Sequence, residues 1–263
     1  DAIMQRADKL MDAAEKAVAH RPDVLERVRI ARLSTDFTIM ERQRALGCVA
    51  FEYDHSQFTV KPSAAFKTRA ERFFDTAERH GLLRIRESGE DLAAYKQAVY
   101  AYVKLVQLTP EEPVELSATP APGLICRYYE TQVERLPDFK QLRPAATAIA
   151  EQINLSPAQG REAVAYALLF EGYFFAPEDG VYTFSTRSND GSRLYIGDRV
   201  VVDNNGLHAE KTETSFVALK QGYHRFAVSY FESGGTAALS AHCAGPNLAY
   251  QEIPATALFH TKR

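Results

Sequence analysis

Two short stretches hold the residue types best suited to chemistry. Ser188-Asn189-Asp190-Gly191-Ser192 sets a side-chain amide and a carboxylate before a glycine, between segments that read as strands. Glu232, followed by Gly234 and Gly235, puts a second carboxylate on a loop whose carbonyls are unhindered. Calcium takes about six to eight oxygens from carboxylates, amides and main-chain carbonyls. Two such loops on one rim would therefore make an oxygen-rich cradle for it. Turn chemistry is the competing reading, because Asn, Asp and Gly tolerate positive φ and their side chains bond their own backbone. Spacing alone leaves both open.

Other chemistries find less support. Cys48, Cys126 and Cys243 have no metal-ligand spacing, so buried free thiols are expected, with a Cys126–Cys243 bridge as the alternative. The 7 histidines show no H-x-H or H-E-x-x-H pattern, and His208 and His224 read as loop and sheet contacts. Glu52, Asp54 and His55 fall within four residues and read as a solvated loop. A nucleophile elbow and a glycine-rich phosphate loop are both missing from the sequence. The net charge of −3 gives no basic field for nucleic acid. No apolar run approaches the length of a membrane span.

The elements that must position these residues fall into two halves. In residues 2–20, Ile3, Ala7, Leu10, Met11, Ala14 and Val18 recur at helical spacing. Pro22 and Asp23 suit the start of a second helix carrying Leu25, Val28, Leu33, Phe37 and Met40. After a loop at residues 52–57, Ser63 is the N-cap of a third helix with the inward row Phe66, Ala70, Phe73 and Ala77 and Gly81 as terminator. A fourth helix buries Leu92, Tyr95, Val99 and Val103. Four prolines in residues 109–122 read as an extended linker with few backbone hydrogen-bond partners. Beyond it, alternating aromatic segments bounded by Gly, Asn and Asp predict an antiparallel sandwich. The fold class is thus α + β multidomain: a helical bundle over 1–108, a linker over 109–122 and a β-sandwich over 123–263.

Residues 123–260 resemble the PA14 domain, first recognised in anthrax protective antigen. The resemblance rests on Tyr128-Tyr129, on Asp179-Gly180 with Tyr182 and Phe184, and on the corner Ser188-Asn189-Asp190-Gly191-Ser192 with Leu194 and Ile196. Gly222 with His224, and Gly245-Pro246, complete it. It implies a β-sandwich that commonly binds carbohydrate. In sugar-binding members two aspartates joined by a cis peptide hold calcium, a second loop adds oxygens, and the ion contacts sugar hydroxyls. The pair falls on Asn189 and Asp190, with Asn in place of the first Asp, and the second loop's side-chain ligand falls on Glu232. Gly234 and Thr236 are the implied carbonyl donors.

The helical half resembles the segment that follows the catalytic barrel in a bacterial glycosidase-like family of unknown function. That implies the non-catalytic, carbohydrate-binding C-terminal part of a secreted, periplasmic or cell-surface glycan-degrading protein, whose missing N-terminal catalytic domain is a partner. A barrel needs about 250 residues of alternating strand and helix, which this chain does not supply. The expected ligand is a poly- or oligosaccharide. With 13 tyrosines and no tryptophan, a flat platform for a sugar ring falls to tyrosine. The rival reading is a structural or protein-interaction module that packs on the missing barrel and binds no sugar. A third has the helical half complete an active site through Glu52 or Asp54.

Overall fold

The computed structural model describes residues 2–46, 51–85, 91–102, 106–161 and 163–261. The chain forms two compact units, Asp1–Glu52 with Val60–Val106, and Tyr53–Thr59 with Gln107–Arg263. Among the described residues no helix is long and apolar enough to cross a membrane.

The first unit holds α1 (Ala2–Ala17), α2 (Pro22–Leu46), α3 (Ala64–Arg79) and α4 (Leu92–Tyr102). α3 follows its local signals. The Phe66 amide donates to Ser63 Oγ at 3.2 Å, satisfying one of the unpaired first-turn donors. Past the other end, Gly81 takes φ +66°. Phe66, Ala70, Phe73 and Ala77 are buried with Leu92, Tyr95 and Val99 of α4; Val103 lies outside the described residues.

α1 keeps Ala7, Met11 and Ala14 of its expected row half-buried, but not the whole row. Ile3 and Leu10 are 81% and 61% exposed, while Asp8 and Glu15 turn inward. The cause is Arg32 of α2, a guanidinium only 2% exposed, which binds Asp8 at 2.6 Å and Glu15 at 3.2 Å. Arg69 joins Asp8 to Asp36, and Arg72 grips Asp36 with two nitrogens. A buried cation is tolerated only when paired, so Asp8 and Glu15 share the inward side with the apolar row.

Residues 51–62, expected to include a loop, form instead a hairpin of β1 (Phe51–Asp54) and β2 (Thr59–Pro62), with β3 (Val106–Gln107) beside β2. Its tip, Tyr53–Thr59, belongs to the second unit.

That unit is an antiparallel sandwich. An eight-stranded sheet runs β10 (Arg199–Asn204), β9 (Ser192–Ile196), β12 (Gly222–Glu232), β7 (Tyr166–Ala176), β15 (Leu258–Thr261), β4 (Pro120–Pro122), with β5 (Leu124–Glu130) pairing β7 and β6 (Ala146–Ala150). A four-stranded sheet runs β11 (Lys211–Leu219), β8 (Gly180–Asn189), β13 (Ala238–Gly245), β14 (Leu248–Glu252). Alternate residues of both sheets, among them Phe170, Phe174, Tyr182, Phe184, Phe226 and Val228, fill the space between. Cys126 and Cys243 sit in this core as free thiols.

β8 is buried on both faces, which its alternation does not announce. Its outer side is covered by other parts of the unit: Thr183 Oγ1 donates to the Tyr53 hydroxyl at 3.1 Å, and Ser185 Oγ meets the Tyr250 hydroxyl at 2.7 Å.

The proline-rich stretch is extended, but it has more backbone partners than its prolines suggested. The Glu111 amide donates to Ala218 O, Lys220 N to Glu111 O, and Val114 N to Tyr223 O at 2.7 Å. Pro120–Pro122 form the outermost strand of the larger sheet. Proline lacks only its own N–H, and an edge strand leaves that side unpaired.

Candidate functional site at the sandwich rim

Asn189 ends β8 in one sheet and Ser192 begins β9 in the other, so Asp190-Gly191 is a crossing between sheets rather than a hairpin turn. None of Asn189, Asp190 and Gly191 has positive φ, so positive φ does not account for these residue types. Glycine is required for space. A Cβ on Gly191 would run into the Phe231 ring and come within 2.7 Å of the Gly206 amide nitrogen.

The corner carries two buried carboxylates. Asp190 is 7% exposed; its Oδ1 accepts the His208 amide at 3.3 Å and its Oδ2 the Ser233 amide at 3.0 Å. Glu232, the last residue of β12, is 2% exposed; Oε1 accepts the Gly234 amide at 2.9 Å, and Oε2 lies 2.9 Å from the Tyr230 hydroxyl. The same hydroxyl is 2.6 Å from Asn189 O. Burial, then Tyr166 and Glu232, push the Tyr230 phenol upward, so it keeps its proton; burial also pushes Tyr166 up to about 12.

A buried polar ladder holds the corner from behind. Ser192 Oγ donates to Thr186 Oγ1 at 2.9 Å and meets Ser188 Oγ at 2.8 Å, and Ser188 Oγ donates to Asp190 O at 2.7 Å. Asn204 Nδ2 donates to Ser188 Oγ at 3.1 Å, while its Oδ1 is buried without a partner.

The Tyr230 hydroxyl thus links Asn189 O to Glu232 Oε2, and the Ser233 amide ties Asp190 Oδ2 to the residue after Glu232. Gly234 and Thr236 lie on the same rim, exposed, in the loop between β12 and β13. The Asn189–Asp190 peptide is trans, unlike the cis pair that the resemblance implies. A cis bond between non-prolines costs about 3 kcal/mol. His208 orients its loop, with Nδ1 and Nε2 2.9 and 3.0 Å from the carbonyls of Ala209 and Asn204. His224 is buried, its ring 2.7 Å from Lys220 O, and burial lowers its pKa. Both histidines hold backbone, as their contexts suggested. Glu52 pairs with Lys61 at 3.1 Å, and Asp54 Oδ1 accepts from Ser56 Oγ and Gln57 N, so both are spent on local structure. His55 departs from the solvated-loop reading, since its Nδ1 accepts the Val181 amide at 3.2 Å.

Tyr230, Ser188 and Asn204 were not foreseen. The one available signal was the spacing of Tyr230 and Glu232, two apart and so on one strand face.

Among the described residues no group of three or more His, Cys, Asp or Glu side chains could hold a metal ion, and no cationic side chain pairs with Asp190 or Glu232. The corner offers hard oxygens with neutral donors around them. That donor set suits a divalent cation of the calcium type, which takes carboxylates, amides and carbonyls.

Residues 120–257 match the PA14 domain. The chain belongs to this family. The match begins at the first residue of β4 and contains the whole rim described above. Among solved structures this PA14 chain is similar to the PA14 domain of MpAFP antifreeze protein, at 17% identity over 58% of this chain and 98% of that one, with a TM-score of 0.48. A PA14 sugar-binding domain from an RTX adhesin is 19% identical over 53% and 98%, TM-score 0.46. The epithelial adhesin 9 A domain from Candida glabrata, in complex with Galβ1-3GlcNAc, is 13% identical over 59% and 96%, TM-score 0.47. Nothing among curated proteins matches the chain.

Proposed function

We propose that the sandwich is a calcium-assisted carbohydrate-binding module, non-catalytic, and the C-terminal part of a secreted glycan-degrading protein. The observation that carries this reading is the pair Asp190 and Glu232, 7% and 2% exposed, whose oxygens meet only neutral donors among the described residues. Buried carboxylates without a counter-charge are costly, and a cation at the rim removes that cost. Membership of the PA14 family supports the same reading.

Asp190 and Glu232 would hold the ion, with Asn189 adding a neutral oxygen and Gly234 and Thr236 main-chain carbonyls. Calcium, when bound, supplies a positive centre to which neighbouring sugar hydroxyls add as further oxygens. Ser233, His208 and Tyr230 keep the carboxylates in place. The exposed loop between β12 and β13 leaves the rim open to a polymer, and tethering raises the local concentration of an attached enzyme.

A glycan array probed with the full chain, in calcium and in EDTA, tests the proposal. Calcium-dependent signals on neutral glycans that vanish in Asp190→Asn are the expected result. An array blank under both conditions would favour the interaction module instead.

A further inference from the structure

The sandwich has a concave site at the end opposite the Asp190 corner. β8 and β12 both run from that end to the rim, and ten extended residues separate the two by about 30 Å. The turns after β7, β11 and β13 meet there with the 55–58 tip, around a cleft of about 550 Å³. The tip lies outside the PA14 match, so this cleft is not built from family residues alone.

Polar groups face the cleft in donor–acceptor pairs. Lys220 Nζ donates to Asp179 Oδ2 at 2.9 Å, and Asn247 Nδ2 donates to both Glu178 oxygens at 2.9 and 3.2 Å. His55 Nδ1 accepts a backbone N–H, so the neutral ring carries its proton on Nε2 as a donor. The Phe58 ring lies 4.8 Å from the Lys220 ammonium.

Backbone strain gathers at the same place. Phe58 at φ +51° and Asn247 at φ +54° are the non-glycine residues at positive φ among the described residues, and both line this cleft. Asparagine tolerates that conformation, whereas a bulky ring is an outlier. Glycine would relax the position, yet the chain keeps an aromatic floor there, as binding sites do.

We propose that this cleft is a second, calcium-independent saccharide site that takes one or two neutral sugar rings. Each sugar hydroxyl both donates and accepts, and neighbouring hydroxyls match the Lys220–Asp179 and Asn247–Glu178 pairs. Two carboxylates against one ammonium disfavour phosphate and other anions. The volume lies within the roughly 300–1,000 Å³ of small-molecule sites.

The test is saturation-transfer NMR on the full chain in EDTA, with a panel of neutral mono- and disaccharides. At least one sugar should bind the wild type and weaken about tenfold or more in Phe58→Gly and Asn247→Gly. Glycine is relaxed at both positions, so these variants keep the fold, which an undiminished melting temperature confirms for each. No binding in EDTA overturns the proposal, as does full binding by both glycine variants. Because the readout excludes calcium, it stands or falls apart from the rim.

Discussion

Asp190 reaches across the rim to Ser233: its Oδ2 accepts the Ser233 amide at 3.0 Å while Oδ1 accepts the His208 amide at 3.3 Å. One carboxylate thus ties the sheet crossing to the loops after β10 and β12. With Glu232 next to Ser233, the fold buries two carboxyl groups on this rim. That placement costs stability without a counter-charge, which makes it the feature most in need of a function.

Tyr230 shares one hydroxyl proton between Asn189 O and Glu232 Oε2, at 2.6 and 2.9 Å. Tyr230→Phe keeps the ring and leaves both buried acceptors without that donor. The expected loss is about 1–3 kcal/mol in urea denaturation in EDTA. Calcium should recover part of it, because the cation takes over the Glu232 oxygen. An equal loss with and without calcium would separate Tyr230 from the ion site.

The local signals were readable in the sequence. Ser63, Gly81 and the Phe66–Ala77 row act within one helix, and the sandwich strands alternate within themselves. Asp190 and Glu232 stand at strand ends, which the glycines that follow them already mark. What stayed hidden comes from partners far along the chain. The outer face of β8 is covered by Tyr53, 130 residues away from Thr183. Arg32 draws Asp8 and Glu15 onto the inward side of α1, which apolar periodicity cannot register. The strands of the 51–62 hairpin are 4 residues each, too short for alternation to show against the loop residues between them. Gly191 looked like a turn glycine because close approach and positive φ leave the same letter.

Cys126 and Cys243 are 1% and 0% exposed, and burial pushes both thiols up to about 12. Burial thus keeps both in the unreactive thiol form. In a Cys48→Ser variant, an aromatic disulfide reagent should label neither thiol in the native protein and both after denaturation. Rapid native labelling would mean that the sandwich core opens.

The helical unit should be acid-labile. The Arg69 guanidinium beside Asp8, joined by Arg32, holds that carboxyl below its ordinary 3.8. His80 and then Arg79 hold Glu26 at about 2, against an ordinary 4.5. Folded-state values below the unfolded ones mean that these groups favour folding above about pH 4.5 and that their contribution disappears as the pH falls toward about 2. Helical circular dichroism followed from pH 6 downward should fall in that window, and Asp8→Asn should lower thermal stability at neutral pH. A helix signal unchanged down to about pH 2 would contradict the role given to these pairs.

The most direct measurement is the melting temperature of the full chain against free calcium, for wild type, Asp190→Asn and Asn189→Asp. Extracellular calcium modules have dissociation constants of about 10⁻⁴ to 10⁻³ M. A hundredfold excess adds about 2.7 kcal/mol, or roughly 5 to 10 °C in a chain of this size. Asp190→Asn replaces an acceptor by an amide that cannot take both backbone N–H groups, so its metal-free melting point should fall as well. The decisive quantity is therefore the rise with calcium. It should appear in wild type, disappear in Asp190→Asn, and come at lower calcium in Asn189→Asp, which adds a second anionic oxygen. A wild-type curve that calcium leaves unmoved, or a full response in Asp190→Asn, would contradict the claim that this corner holds the ion.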